Sequence, residues 1–553
     1  MSAPWDLTAE SLKHLQIFDS QENSKQHTAS TGYSAEEVTT APIFSLSAHL
    51  SLSATARTDN KNNKTNSNHP IFPQYGVLGS QLKGRTERAS QAGLIYTNIS
   101  APWSGFICGS QGSGKSHSLS CILENALIKS SPAGKLSSPL AGLVLHYDKF
   151  TSFASTQLCE AAYLCSAGIP VRVLVSPTNF MAMKEMYLKM PGVRGKTKVT
   201  VEPMYLPKKD LNIAMMKTLM GMNDKTSQPL YMDVVMKILR EMAITNQGRT
   251  TFDYQQFKKL LGKQDFIKGQ AVPLSMRLAV LESFLEKDSP KKGAMPVEKM
   301  WKFEKGTLTI IDLSCPFVDP DDACALFNIA ISLFLKERQN AGRIFALDEA
   351  HKFLGAKSSE AAELNDTLLS IVRQQRHLAT RVIIATQEPT VSPQFLDLCN
   401  FTLIHRFNSP AWFQAIRSHL AGASGDKVTD AQAFENDLFR RIVNLKTGQA
   451  LLFCPTGMFV TKETGDRVAE GGKNWKEGGK NQVSEWWGDS GEAAKRDWPP
   501  LYYEDYGSAS SDDLELESLL SEDHRVVKLG ANFVHLQIRN RITVDGGRSI
   551  IAQ

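Results

Sequence analysis

Residues 104–128 read SGFICGSQGSGKSHSLSCILENALI, an apolar strand that breaks into a glycine-rich loop and resumes as a helix. The loop carries Gly109, Gly114, Lys115 and Ser116 in the spacing G-x-x-x-x-G-K-S. Glycines at these places let successive backbone N–H groups turn inward around a polyphosphate. The helix that follows aims its unpaired N–H groups and positive dipole end at the same point. Lys115 is placed to reach the β- and γ-oxygens, and Ser116 to ligate Mg²⁺. The expected ligand is a nucleoside triphosphate, held by Gly109, Ser110, Gln111, Gly112, Ser113, Gly114, Lys115, Ser116 and His117.

Outward from this loop the chain alternates strands and helices. GLVLHYD (142–148) and VRVLVSP (171–177) read as buried strands, and TLTIIDLS (307–314), RIFALDE (343–349), RVIIATQ (381–387), FTLIHRF (401–407) and ALLFCP (450–455) follow. Near-continuous apolar strands separated by helical stretches predict a doubly wound, mostly parallel sheet of an α/β fold. Between residues 208 and 300 the period is helical, which predicts an all-helical insertion. Asp210, Ser227 and Asp253 are the expected N-caps there, Gly262 a helix stop, and the many methionines core filler.

The organisation expected is a disordered arm over 1–70, a first half of the nucleotide domain over 71–207 and the insertion over 208–300. A second half follows over 301–460, then a flexible excursion over 461–512 and a C-terminal strand docking from 513–553. The arm is inferred from Ser/Thr/Asn/Gln-rich pieces such as NKNNKTNSNH, which bury too little apolar surface to offset ordering entropy. A formal net charge of +5 decides nothing about partners. Eight cysteines with no C-x-x-C pair predict buried free thiols, rather than disulfides or zinc, and a reducing compartment. The N-terminus lacks a signal-peptide pattern, and the longest apolar run, Ala325 to Leu335, is too short to span a bilayer. The expectation is an intracellular protein, cytoplasmic or nuclear, without a membrane partner.

RIFALDEAH (343–351) delivers two carboxylates, Asp348 and Glu349, to a strand's C-terminal end, where α/β sheets bind their ligands. Asp348 is placed to hold Mg²⁺ through water, and Glu349 to orient and deprotonate an attacking water. The string DEAH matches a helicase motif, but no other motif of that group surrounds it. RVIIATQEP ends in Gln387, whose amide can bond both a γ-phosphate and the water; the alternative is that it caps a strand. Upstream, IVRQQRHLATR holds Arg373, Arg376 and Arg381. One of them can serve as a finger to a neighbouring subunit, while a solvated basic helix face is the competing reading for Arg373 and Arg381.

In order, GSQGSGKS, FALDEAH, RHLATRVIIATQEPTVSP, LCNFTLIHRFNSP and LKTGQALLFCP resemble the HerA/FtsK superfamily of P-loop ATPases, closest to its HerA branch. The whole chain resembles a group of HerA-like proteins of filamentous fungi. The resemblance spans roughly residues 75–460. It implies a RecA-like P-loop NTPase fold of the additional-strand, catalytic-glutamate type, with ATP and Mg²⁺ as cofactors. It also implies a homo-oligomeric, hexameric ring and double-stranded DNA as cargo. By the same resemblance Glu349, Lys115, Gln387 and Arg376 are catalytic, Arg376 being the finger, and Ser116 and Asp348 are the metal residues. Two departures stand out: His377, Leu378 and Ala379 occupy the place of the family's small glycine, and no N-terminal β-barrel is visible. The alternative function is an ATP-dependent assembly switch that binds protein partners without moving DNA. No guanine-reading N-K-x-D motif and no second substrate site support a GTPase or a kinase.

Overall fold

The computed structural model describes residues 32–53, 70–82, 90–129, 131–149, 157–190, 199–219, 230–245, 252–266, 268–287, 295–336, 342–355, 357–389, 393–420, 428–462 and 524–544. Their strands are β1 (Ile43–Ser45), β2 (Tyr75–Gln81), β3 (Leu94–Asn98), β4 (Ser104–Cys108), β5 (Gly134–Lys135), β6 (Ala141–His146), β7 (Val171–Val175) and β8 (Val199–Pro203). They continue as β9 (Leu308–Asp312), β10 (Arg343–Asp348), β11 (Thr380–Thr386), β12 (Phe401–Ile404), β13 (Gln449–Phe453), β14 (Met458–Lys462), β15 (His524–Lys528) and β16 (Phe533–Ile538).

Eight strands in the order β12-β4-β11-β10-β6-β9-β7-β8 run parallel. Their side chains alternate between two apolar layers. Phe106, Leu143, Leu145, Phe345 and Leu347 face one layer, and Ile107, Val144, Ile344 and Ala346 face the other. The first layer is closed by helices Pro320–Lys336 and Ser359–Gln374, together with the helices of residues 213–283. The second is closed by the loop helix Lys115–Leu127, the 3₁₀ helix Glu160–Ala167 and helix Phe180–Leu188. Strand β11 lies between the loop strand β4 and the acidic strand β10. This is the P-loop NTPase fold of the additional-strand type, a mostly parallel sheet wound on both faces.

Within residues 208–300, Val235, Ile238, Leu239, Met242, Met215, Met216 and Phe257 are buried against the first layer. Met215, Met216, Met232, Met242 and Met300 fill core, whereas Met276 is exposed. Asp253 caps Tyr254–Leu261, accepting from Gln256 N at 3.0 Å, and Gly262 ends that helix. Asp210 does not act as expected. Asn212 Oδ1 accepts from Met215 N at 2.9 Å at the start of Ile213–Leu219, while Asp210 pairs with Lys336. Ser227 lies outside the described residues.

The reading of 1–70 as a disordered arm is corrected by residues 32–53, which are structured. Ser34 forms a capping box with Glu37 on the short helix Ala35–Thr39, and β1 pairs antiparallel with β3. Phe44 stacks on Phe72 at 3.9 Å between centroids and lies beside Tyr96, in a core shared with Met458, Val460 and Val526. The composition of the neighbouring polar pieces masked an apolar string, Ile43 to Leu52, that finds its partners far along the chain. Beyond β13 the sheet continues through β16, β2, β3, β1, β14 and β15, mainly antiparallel. Residues 463–523, most of the expected excursion, lie outside the described residues.

The end of β12 clamps the glycine loop. Ser110 N and Oγ both donate to the Arg406 carbonyl at 2.8 Å, and Gly448 N donates to Ser113 O at 3.2 Å. His405 is fully buried; its Nδ1–H donates to Gln449 O and its Nε2 accepts from Ser118 Oγ, each at 2.9 Å. Burial pushes the His405 imidazole down to about 4.

Two outcomes follow from this packing. Phe44→Ala is expected to destabilise the fold by about 3–5 kcal/mol, measured by denaturant titration, because a stacked aromatic in a closed core is lost. His405 stays neutral in the folded chain between its ordinary 6.5 and about 4, while the unfolded chain takes up a proton there. Stability should therefore fall as pH drops through that window, by up to about 3 kcal/mol, and stay flat above it as far as this group is concerned. In His405→Asn, which keeps a donor toward Gln449, that component of the pH dependence should vanish.

Candidate functional site

The glycines of the loop are where the backbone needs them. Gly114 caps the helix at φ 112°, a left-handed value that side chains rarely adopt. At Gly109 a Cβ would come within 2.6 Å of His405 Cβ, so the clamp and a larger residue cannot coexist. Gln111 and Gly112 are exposed at the loop tip, and Ser113 is buried with Oγ donating to Ser110 O at 2.7 Å. Lys115 is buried, and its Nζ donates to Ser110 O at 3.1 Å. Burial pushes the Lys115 ammonium below its usual value, against the pull of Glu349 and Asp348 upward. Those carboxylates are therefore near enough to act on the lysine's charge. Ser116 is half-buried in the first helical turn. The His117 side chain is committed elsewhere, its Nε2 bonding the Arg539 carbonyl at 2.8 Å.

Parallel β4, β11 and β10 bring their C-terminal ends to one edge. There Gln387 Nε2 donates to Glu349 Oε2 at 3.0 Å, joining the two residues that sequence spacing singled out. His351 Nδ1 lies 3.3 Å from the same oxygen and accepts from Gln387 N at 3.4 Å. Glu349 has φ 51°, an uncommon left-handed conformation for a glutamate that marks local backbone strain. Asp348 is buried at the end of β10, and burial raises its pKa although His146 opposes this. Asp348 and the Ser116 hydroxyl are hard oxygen donors, and among the described residues the base that faces Asp348 is His146, its Nδ1 3.8 Å away. A buried carboxylate so weakly compensated, on the loop side of the sheet, fits a small hard cation such as Mg²⁺.

Arg376 is not brought into this group. It precedes β11, at the amino edge of the parallel sheet, whereas the glycine loop follows β4 at the carboxyl edge. It is 68% exposed and its Nη1 lies 3.6 Å from Glu36 Oε1. Arg381 corrects both earlier readings. It sits on β11, buried, with Nη2 donating to the Ile99 and Ser100 carbonyls at 2.7 Å, so it is a brace for the backbone and not a solvated helix face. Arg373 is exposed in the last turn of Ser359–Gln374.

Sequence reasoning missed the clasp on the loop helix. Glu124, fully buried, accepts from Arg539 Nη1 at 2.7 Å, Thr543 Oγ1 at 2.6 Å, Thr543 N at 2.9 Å and Ile542 N at 3.1 Å. Burial pushes this carboxyl up, but the bonds from Thr543 and Arg539 outweigh that and hold it below the ordinary value. Arg539 also bonds the carbonyls of Val77 and Cys121 and Asn125 Oδ1. The available signal was a lone glutamate inside the apolar helix SLSCILENAL, which called for a buried partner. No helix among the described residues is long and apolar enough to cross a membrane, and the described cysteines are all free.

No family model matches the chain, and no curated protein matches it. Among solved structures it is similar to VirB4 of Thermoanaerobacter pseudethanolicus, at 12% identity and a TM-score of 0.42 over 69% of this chain and 94% of that one. It is also similar to the genome packaging NTPase B204 of Sulfolobus turreted icosahedral virus 2 in complex with AMPPCP, at 15% identity and a TM-score of 0.21 over 29% of this chain and 66% of that one. The complex of the same NTPase with AMP aligns at 14% identity and a TM-score of 0.21, over 34% of this chain and 86% of that one. All are distant, and the P-loop NTPase fold of this chain rests on its own strand order and loop geometry.

Proposed function

We propose that the chain is a Mg²⁺-dependent ATPase whose site is completed between subunits of a homo-oligomeric ring, a motor of the HerA/FtsK kind acting on double-stranded DNA. The observation that carries the ATPase reading is the bond from Gln387 Nε2 to Glu349 Oε2 beside the Lys115 loop. It joins a base, a polar sensor and a phosphate cradle at one sheet edge. Loop N–H groups and Lys115 bind the β- and γ-phosphates. Glu349 accepts a proton from water as that water's oxygen attacks the γ-phosphorus. The bond from the γ-phosphorus to the β–γ bridging oxygen breaks, releasing ADP and phosphate. Gln387, already bonded to Glu349, aligns that carboxylate with the water. Ser116 and Asp348 would hold Mg²⁺, which when bound would neutralise phosphate charge.

Arg376 supports the ring. Its place at the amino edge keeps it from its own loop, and its guanidinium, exposed and paired with Glu36 at the surface, is accessible to a neighbour's γ-phosphate. The DNA cargo and the hexamer rest on the resemblance in motif order.

The test is ATP turnover with and without double-stranded DNA, read beside the mass of the ATP-bound particle. Lys115→Ala should abolish nucleotide binding. Glu349→Gln should bind ATP and lose turnover by about 10²–10⁴-fold. Unchanged turnover in Glu349→Gln would refute the hydrolytic site proposed, with Glu349 as its base, and DNA-indifferent turnover the translocase. ATP-dependent assembly with negligible hydrolysis would favour the switch. Arg376→Ala should bind ATP and lose roughly 10³-fold in rate, and an active Arg376→Ala would rule out the finger.

A further inference from the structure

Behind the acidic strand end, three side chains from separate elements converge. His146 closes β6, Asp348 closes the neighbouring β10 in register with it, and Cys159 caps the 3₁₀ helix Glu160–Ala167. All three are buried, and their ligating atoms lie within 4.8 Å of one another. His146 Nε2 faces the Gln157 carbonyl at 3.0 Å. A carbonyl only accepts, so Nε2 carries the proton and Nδ1 presents a bare lone pair. That Nδ1 is buried without a hydrogen-bond partner, and it faces Asp348 Oδ2 at 3.8 Å. Two acceptors at that distance cannot share a hydrogen bond, and a third ligating atom, the soft Cys159 sulfur, stands beside them. One group that satisfies all three is a divalent cation.

We propose that His146 Nδ1, Cys159 Sγ and Asp348 form a binding site for Zn²⁺, and that its occupation withdraws Asp348 from Mg²⁺ and stops turnover. A thiolate, an imidazole and a carboxylate suit a borderline-soft metal better than Mg²⁺, which takes oxygen ligands. One thiolate and one carboxylate neutralise Zn²⁺, so the filled site adds no net charge to the interior. On binding, the Cys159 thiol loses its proton to solvent as the Zn–S bond forms. Zinc bonds of about 2.0–2.3 Å place tetrahedral ligand atoms roughly 3.2–3.7 Å apart, so closure takes a side-chain shift of about 1 Å, with water as the fourth ligand. The absence of a C-x-x-C pair hid this site, because its ligands come from three elements. Binding itself stands independently of the ATPase reading; the inhibition rests on it.

The experiment titrates the full-length, metal-free protein with Co²⁺ and follows the thiolate-to-metal charge-transfer absorption, then displaces it with Zn²⁺. One equivalent should produce the band, Cys159→Ser should abolish it, and His146→Gln should weaken binding by about 10–100-fold or more. Each variant is checked for an unaltered thermal unfolding transition, so that loss of the band in at least one folded variant is read as loss of a ligand. In parallel, Zn²⁺ should inhibit Mg²⁺-ATP turnover of the native chain and be reversed by a chelator, while Cys159→Ser keeps its basal rate and resists Zn²⁺. No stoichiometric band, or an undiminished band in Cys159→Ser, overturns the site. A normal band with turnover indifferent to Zn²⁺ overturns its control of Asp348. A normal band in a chain without turnover leaves the site standing and removes the ATPase reading instead.

Discussion

The two hydrogen-bonded ladders that join β4 to β11 and β11 to β10 hold the glycine loop and the acidic pair two strand spacings apart, about 9.5 Å. With no intervening strand, Lys115 and Glu349 would crowd into a direct ion pair. With two, they would stand too far apart to share one small ligand. The interposed strand also supplies Gln387 at its end, between the residues it separates. The loop is then fixed from the other side by the residues after β12, Arg406 and His405, so all four of the strands β12, β4, β11 and β10 contribute to the site.

Burial and charge are balanced differently on the two sides of this arrangement. The loop helix carries its one buried carboxylate, Glu124, fully satisfied by Arg539 and Thr543, which is the condition for keeping such a charge inside a protein. The acidic strand end is less compensated: Asp348 faces His146 at 3.8 Å, beyond hydrogen-bond distance, and Glu349, bonded by Gln387, sits on a left-handed backbone. The carboxylate that is fully paired reads as structural, and the less compensated pair at the end of β10 marks the candidate site.

Legibility in the sequence follows how local each device is. The glycine loop needs eight consecutive residues, and Asp348 and Glu349 need only the end of an apolar strand, so both were readable. The turn before β11 was half readable. Ala379 takes φ 49°, a value that favours glycine, which accounts physically for the small residue that the motif pattern calls for nearby. What stayed hidden depends on distant partners. Ile43 to Leu52 looked like part of a polar arm because its companions, Tyr96, Met458 and Val526, lie in three other segments. His405 read as one residue in an apolar strand, and only the fold reveals that it presses on Gly109.

The clasp on Glu124 has a bearing on how the chain is made. Arg539 lies 415 positions after the glutamate it neutralises. At about 5–20 residues per second, a ribosome takes roughly 20–80 s to travel that distance. Throughout that interval the loop helix exists without its counter-ion, and β2 without β16. The nucleotide domain therefore cannot mature vectorially from its amino end. The loop helix waits for the segment after β16, and the nascent chain must be kept from aggregating until synthesis has reached Thr543.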